Sequence, residues 1–273
     1  KKRSIPLILL NARITKKSYD KWKKIPKMSK ILFKNFDICF SQNYETKKYL
    51  KSLGAKKIKF IGNLKFSESK TEKNYNFNSN LKKIFKSKKI WCAASTHNTE
   101  ERICATVHEK LKNKYKNLLT IIIPRHTQRA DEITNEIRDM GLKVQAHSSN
   151  NKTNNNTEIY LVDTFGETKS FFKICQTVFL GGSIINHGGQ NPLEPVRFGC
   201  RILHGPNIQN FAEVYNLLEK NNLSHKFYNS NQLAKLVDKS FGNNMNTINK
   251  IKKIKKTGSN ILNNTLIEIN HYL

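Results

Sequence analysis

The stretch TVFLGGSIINHGGQNPLEPVRFG, residues 177–199, joins a short apolar run to a glycine-rich loop and then to a segment that begins like a helix. The run 177–181 predicts a buried strand, because it is short, apolar and bounded by glycine. The pairs Gly181-Gly182 and Gly188-Gly189 permit close backbone approach and dihedral angles that other residues disfavour. The order strand, bare loop, helix predicts an α/β unit whose loop faces a ligand.

The helix predicted over 192–198 has local signals for its start and its end. Asn191 is a typical N-cap, Pro192 suits the first helical position, and Gly199 suits the residue after the helix. The positive end of this helix faces the loop, which predicts a site for an anion such as phosphate. Glu194 either complements the helix dipole or points into the crevice and accepts two ribose hydroxyls. An ordinary glycine-rich turn followed by a capped helix explains the same residues.

The alternation of apolar runs with amphipathic segments extends along the chain. Strands are predicted at 5–10, 36–40, 57–62, 89–94, 118–123, 158–162, 177–181 and 201–204. Helices are predicted at 15–33, 42–53, 98–113, 129–140, 167–174 and 192–198, with lysine-rich helices in the tail. Strands that alternate with helices predict an α/β fold with a parallel, doubly wound sheet. Ligands of such sheets bind outside the carboxyl ends of the strands.

Composition divides the chain into four parts. Residues 1–66 form a short α/β piece, 67–77 a polar linker, 78–240 a complete doubly wound domain, and 241–273 C-terminal helices.

The chain of 273 residues carries a formal net charge of +29, which favours anionic partners such as nucleic acid, acidic lipid or phosphorylated substrates. The even spread of lysine beside asparagine and isoleucine is also typical of an AT-rich genome. The five cysteines are odd in number and lack metal or redox spacing, which predicts a reducing compartment. No apolar run approaches the length of a membrane span.

Polar side chains follow several predicted strands. They are Ser95, Thr96, Arg125, His126, Asp163, Thr164 and Glu167 in the larger domain, where Gly166 precedes Glu167, and Asn11, Arg13, Asn63 and Lys65 in the N-terminal piece. Arginine forks match phosphate or carboxylate oxygens, so Arg125 and His126 predict an anion contact at the sheet edge. Surface charge and helix capping explain each group when it is taken alone.

Signals for a metal or a covalent nucleophile are absent from the sequence. The eight histidines are scattered, and no acidic pair of the kind that holds Mg²⁺ beside a nucleotide sugar is present. No G-x-S-x-G or Walker sequence occurs. We therefore expect no metal and no cofactor.

Together, these stretches resemble one family. NARIT, SQNYET, GNLKF, AASTHNTEE, PRHTQR, VDTFGE, FLGGS and GGQNPLEP occur in the order and spacing of bacterial Kdo transferases. The resemblance implies a GT-B fold of two Rossmann-like domains, with residues 78–240 as the CMP-sugar domain and 241–273 packing back toward the N-terminal domain. It implies transfer of 3-deoxy-D-manno-octulosonic acid (Kdo) from CMP-Kdo to the lipid A precursor, with inversion and without metal, at the cytoplasmic face of the inner membrane.

The resemblance also implies roles for individual residues. Arg125 and His126 hold the phosphate or the Kdo carboxylate, and Glu194 binds the ribose. The rest of the donor site is Ser95, Thr96, Asp163, Gly166, Glu167, Gly182, Ser183, Gly188, Gly189 and Asn191. Acceptor-side groups are Asn11, Arg13, Asn63 and Lys65.

Two features depart from the family. His187 and Gln190 stand where the family often has Arg and His, which predicts altered donor affinity. Residues 1–66 resemble only the last part of the family's acceptor domain, so no residue is assigned as catalytic base, and we expect this chain alone to bind CMP without transferring Kdo. The other functions considered are a different GT-B nucleotide-sugar enzyme, either a UDP-sugar transferase or an epimerase, and a non-enzymatic basic protein that binds nucleic acid or membrane. On the favoured interpretation the partners are CMP-Kdo, the lipid A precursor and an anionic membrane, and no nucleic acid is expected.

Overall fold

A computed structural model describes residues 5–67, 77, 79–149, 155–242 and 248–272. The chain divides into two compact units. Unit 1 is Lys1–Thr71 together with Lys252–Leu273, and unit 2 is Glu72–Ile251. The boundary between Thr71 and Glu72 falls in the predicted linker 67–77, most of which lies outside the described residues.

Unit 1 is built on a parallel sheet in the order β1-β2-β3. Its elements are β1 (Ile8–Ala12), α1 (Lys16–Lys23), α2 (Pro26–Lys34), β2 (Ile38–Ser41), α3 (Tyr44–Ser52), β3 (Ile58–Phe60) and most of the C-terminal helix α11 (Ile248–Asn270). The prediction of one helix over 15–33 is wrong, because Pro26 has no amide hydrogen to continue the helical ladder and instead starts α2.

The helix α11 lies very close to the turn that follows β3. A Cβ atom on Gly258 would come within 2.1 Å of the carbonyl oxygen of Phe66. Only glycine fits at that point of the helix, so the contact depends on the absence of a side chain. Lys59 of β3 and Glu268 of α11 also form an ion pair. Residues from both ends of the chain therefore build unit 1.

Unit 2 contains, within the described residues, a seven-stranded sheet in the order β10-β9-β8-β4-β5-β7-β6, in which every neighbouring pair is parallel. The strands are β4 (Lys89–Thr96), β5 (Leu118–Pro124), β6 (Val144–Ala146), β7 (Ile159–Leu161), β8 (Thr177–Leu180), β9 (Arg201–His204) and β10 (Ser224–Lys226). The helices are α4 (Ser79–Ser87), α5 (Glu100–Lys112), α6 (Ala130–Asp139), α7 (Thr168–Ile174), α8 (Leu193–Arg197), α9 (Ala212–Lys220) and α10 (Ser230–Gly242). The predicted parallel α/β fold is confirmed.

The centre of the large sheet is buried on both faces. Every residue of β5 is buried, as are all four residues of β8. Trp91, Ile122 and Phe179 contribute fully buried side chains to one continuous core. Such strands need nearly continuous apolar runs, since helices cover both sides of a parallel sheet. The residues that follow β5 and β8 are therefore attached to fully buried strands.

All five cysteines are buried free thiols. Among the helices of the described residues, none combines the length and the apolar character that a membrane crossing requires.

Candidate functional site

Three neighbouring strands of the large sheet bring their carboxyl ends to one edge. β4 lies between β8 and β5. The amide of Arg125 donates to the carbonyl of Thr96 at 2.9 Å, and the amide of Gly181 donates to the carbonyl of Ala94 at 2.9 Å. Ser95 has a left-handed φ of 56°, and the register of β4 shifts there. The polar groups predicted after these three strands therefore lie side by side.

Glu100 is the anchor of this edge, and the sequence analysis did not single it out. Its carboxylate accepts from the amides of Gly182 at 2.7 Å, His97 at 3.0 Å and Ile184 at 3.0 Å. The residue is completely buried, and burial raises the pKa of its carboxyl group while the amide hydrogen bonds oppose the rise. Glu100 stands in the first turn of α5, where an acidic residue commonly does no more than interact with the helix dipole.

Two glycines of the predicted donor site have amides that already donate inside the protein. The amide of Gly182 donates to Glu100, and that of Gly189 donates to the carbonyl of Gly182 at 2.8 Å. Ser183 is completely buried; its hydroxyl donates to the carbonyl of Leu180 at 2.6 Å and accepts from the amide of Gly205 at 2.9 Å. These groups hold the shape of the glycine-rich loop.

Close approach explains why the loop is so rich in glycine. A Cβ atom on Gly181 would lie 2.3 Å from the carbonyl oxygen of Ser95. Gly188 has a φ of 101°, and a Cβ there would lie 2.3 Å from the side-chain nitrogen of Asn210. That nitrogen donates to the carbonyl of His187 at 3.0 Å, so the loop is tied down on its far side as well.

Three imidazole rings gather beside the loop. The ring centroid of His97 lies 4.6 Å from that of His187 and 6.0 Å from that of His126. Nε2 of His97 is buried and has no hydrogen-bond partner in the part of the chain that the structure describes. Burial and the neighbouring His187, His126 and Arg125 lower the pKa of His97, against a hydrogen bond to the carbonyl of Ser95 that raises it. The cluster therefore brings three imidazole rings together beside the loop, and the lowered pKa favours the neutral form of His97.

The predicted groups that follow β7 are tied to the segment after β6. Asp163 accepts from the amide of Ser148 at 2.9 Å and from its hydroxyl. Nε2 of His147 lies 2.8 Å from a carboxylate oxygen of Glu167. Gly166 has a φ of 90° and completes the turn between the two carboxylates. Asp163 and Glu167 therefore fix the shape of this loop.

The helix after the glycine-rich loop is shorter than predicted. α8 spans Leu193–Arg197, and the side chain of Asn191 accepts from the amide of Leu193 at 3.2 Å. Pro192 precedes the helix, so the predicted start at this residue is shifted by one position. Five residues sum to a weaker dipole than the prediction of an anion site at this helix end assumed. Glu194 is partly exposed, and its carboxylate lies 3.5 Å from Nζ of Lys169.

The acceptor-side residues predicted in unit 1 lie at the carboxyl edge of the small sheet. Asn11 has a left-handed φ of 50°, and its side chain accepts from the amide of Leu64 at 3.1 Å. The side chain of Asn63 accepts from the amide of Lys65 at 3.0 Å. Arg13 and Lys65 are exposed. Asn11 therefore joins the end of β1 to the segment after β3, and Asn63 makes a local bond within that segment.

Within the described residues, no group of three or more His, Cys, Asp or Glu side chains is placed to hold a metal ion.

Solved structures share this architecture. The C-terminal CMP-Kdo binding domain of WaaA from Acinetobacter baumannii matches with a TM-score of 0.56 at 22% identity, over 68% of this chain and 99% of that domain. The trehalose-6-phosphate synthase OtsA matches with a TM-score of 0.52 at 11% identity, over 99% of this chain and 66% of that one. The fold is of the GT-B type that the resemblance implied.

Sequence relatives point to one family. The family described as 3-deoxy-D-manno-octulosonic-acid transferase (kdotransferase) matches residues 1–68. The 3-deoxy-D-manno-octulosonic acid transferase of Haemophilus influenzae is 31% identical over 79% of this chain and 51% of its own length. That of Rickettsia prowazekii is 30% identical over 83% of this chain and 49% of its own length. The chain is similar to Kdo transferases over most of its own length, and it spans about half the length of these relatives.

Proposed function

We propose that this chain binds CMP-Kdo at the carboxyl edge of the large sheet and supplies the donor site of a Kdo transferase. The reaction is transfer of Kdo to the lipid A precursor, with inversion and without a metal. One observation carries the proposal: basic and imidazole groups converge beside the glycine-rich loop in a chain about 30% identical to Kdo transferases.

Transfer of Kdo from CMP-Kdo releases CMP, so the donor site must stabilise the phosphate of the leaving group. CMP leaves with added negative charge, and preorganised donors aimed at that charge lower the barrier. Arg125 and His126 follow β5 directly, and both are exposed. These two groups take the place of the amides of Gly182 and Gly189, which donate inside the loop.

The ribose has a separate contact in this proposal. Glu194 is partly exposed beside Lys169, so its carboxylate is open to two vicinal hydroxyls. Loss of Glu194 is therefore a loss of CMP affinity rather than of charge stabilisation.

Nucleotide titration of this chain tests the proposal. We expect CMP to bind about tenfold or more tightly than UDP in isothermal titration calorimetry. Tighter binding of UDP supports the uridine-nucleotide alternative instead. Binding that shows no nucleotide preference and falls steeply with salt supports a general polyanion-binding protein.

We also propose that unit 1 contacts an anionic bilayer, at the cytoplasmic face of the inner membrane. The exposed face of α2 carries Met28 at 63% exposure and Ile31 at 66% exposure, with Leu32 beside them. Lys27 and Lys30 alternate with these apolar side chains. Such a pattern suits the boundary between acyl chains and anionic headgroups, where each nearby lysine contributes about 1 kcal/mol.

Vesicle binding tests the membrane contact. We expect the double variant Met28→Asp, Ile31→Asp to bind phosphatidylglycerol vesicles about tenfold or more weakly, because two apolar anchors are lost and two negative charges are added. Leu266→Asp, Ile267→Asp is the matched control on the exposed side of α11. Equal losses in both variants, or equal binding to neutral phosphatidylcholine vesicles, contradict a role for α2.

A further inference from the structure

Phe165 is the most exposed large hydrophobic side chain among the described residues. Its exposure is 79%, although it stands in a loop at the carboxyl edge of a buried sheet. Folding recovers little hydrophobic free energy from a ring in that position. A single exposed apolar residue needs no explanation by itself, so the setting of the ring decides what it does.

The loop holds the ring in a fixed place. On one side of Phe165, Asp163 accepts from the amide and the hydroxyl of Ser148. On the other side, Glu167 pairs with Nε2 of His147 at 2.8 Å. The backbone of the loop is therefore fastened before and after the exposed ring. An aromatic ring on a preorganised loop contacts a ligand at a low cost in conformational entropy.

The fastened loop connects two parts of the proposed nucleotide site. β7, which precedes it, pairs with β5, and Arg125 follows β5. α7, which follows it, carries Lys169, whose Nζ lies 3.5 Å from the carboxylate of Glu194. The loop thus runs from the strand beside the phosphate-binding arginine to the helix beside the ribose-binding glutamate.

We propose that the ring of Phe165 stacks on the pyrimidine base of the bound nucleotide. The proposal rests on the proposed function, since it takes the phosphate to Arg125 and the ribose to Glu194. The base is bonded directly to the ribose, so it lies within one sugar of Glu194, and the loop that carries Phe165 leads into the helix whose Lys169 lies beside Glu194. Every base has a π-face, so stacking provides affinity without distinguishing cytosine from uracil.

Three probes separate stacking from other roles. In Phe165→Ala we expect the affinity for CMP to fall about 5- to 150-fold, the range that base stacking on an aromatic side chain supplies. The affinity for UMP falls by the same factor. The affinity for ribose 5-phosphate, followed by NMR chemical shifts, does not change because this probe has no base.

Two variants control the measurement. Tyr228→Ala removes another exposed aromatic side chain of unit 2, and it leaves CMP affinity unchanged. Phe165→Trp retains the affinity, and its indole fluorescence changes when CMP binds.

Several results overturn the proposal. Unchanged CMP affinity in Phe165→Ala removes the stacking role and leaves the proposed function standing. An equal loss for ribose 5-phosphate shows that the ring maintains the loop rather than contacting the base. Failure of the unaltered chain to bind CMP removes both proposals.

Discussion

In a full-length context that also supplies the catalytic base, the Arg125→Ala variant is expected to transfer Kdo about 10²- to 10³-fold more slowly than the unaltered sequence. Removal of one preorganised donor from a site that stabilises developing charge has an effect of this size. Arg125 stands directly after β5, and its amide is bonded to the carbonyl of Thr96 at 2.9 Å, so its Cα is well positioned. Initial rates with CMP-Kdo and the lipid acceptor measure the effect, and calorimetry with CMP measures the binding part.

Two further variants make this result specific. Arg125→Lys keeps the charge but loses the planar guanidinium group, so its rate is expected to lie between that of the unaltered sequence and that of Arg125→Ala. Arg138→Ala removes an exposed arginine from α6 in the same unit and is expected to leave the rate unchanged. A normal rate in Arg125→Ala contradicts the assignment of this residue to the phosphate.

The Glu100→Ala variant is expected to have the largest effect on stability. Three amides, those of Gly182, Ile184 and His97, lose their acceptor in a buried place. An unsatisfied buried donor costs about 1–3 kcal/mol, so the free energy of unfolding of unit 2 falls by about 3 kcal/mol or more. For a unit of this size the melting temperature falls by about 6–12 °C. CMP affinity falls too, because the loop loses its anchor.

The control for Glu100 comes from the same helix. Glu109→Ala removes a partly exposed carboxylate of α5 and is expected to shift the melting temperature by no more than about 2 °C. Glu100→Gln retains one acceptor oxygen but turns an NH₂ group toward amide donors. Its melting temperature is therefore expected to lie between those of Glu100→Ala and Glu109→Ala. A melting temperature unchanged in Glu100→Ala contradicts the anchoring role.

Much of the fold could be predicted because the central strands are continuous apolar runs. The predicted runs 89–94 and 118–123 correspond to β4 and β5. The edge strands β6 and β10 were missed, since each has three residues and each depends on a neighbouring strand for its pairing. The helices α4 and α9 were also missed, and the break at Pro26 was overlooked.

The site was harder to predict, because its contacts join distant parts of the chain. The sequence places Arg125 and His126 directly after an apolar strand, so their position at the carboxyl edge of the sheet could be predicted. Their contact with a phosphate stays a prediction. Glu100 meets amides more than eighty residues away, which no local pattern indicates. The gathering of His97 and His187 depends on the same folding of the loop onto β4.

The close contact between Gly258 and Phe66 has a consequence for biosynthesis. A ribosome synthesises the chain from its amino end, so all of unit 2 is made before residues 252–273 of α11. Unit 2 is then free to collapse while translation continues, as domains commonly do. Unit 1 lacks the contacts of α11 with Lys59 and Phe66 until residues 252–273 have been synthesised.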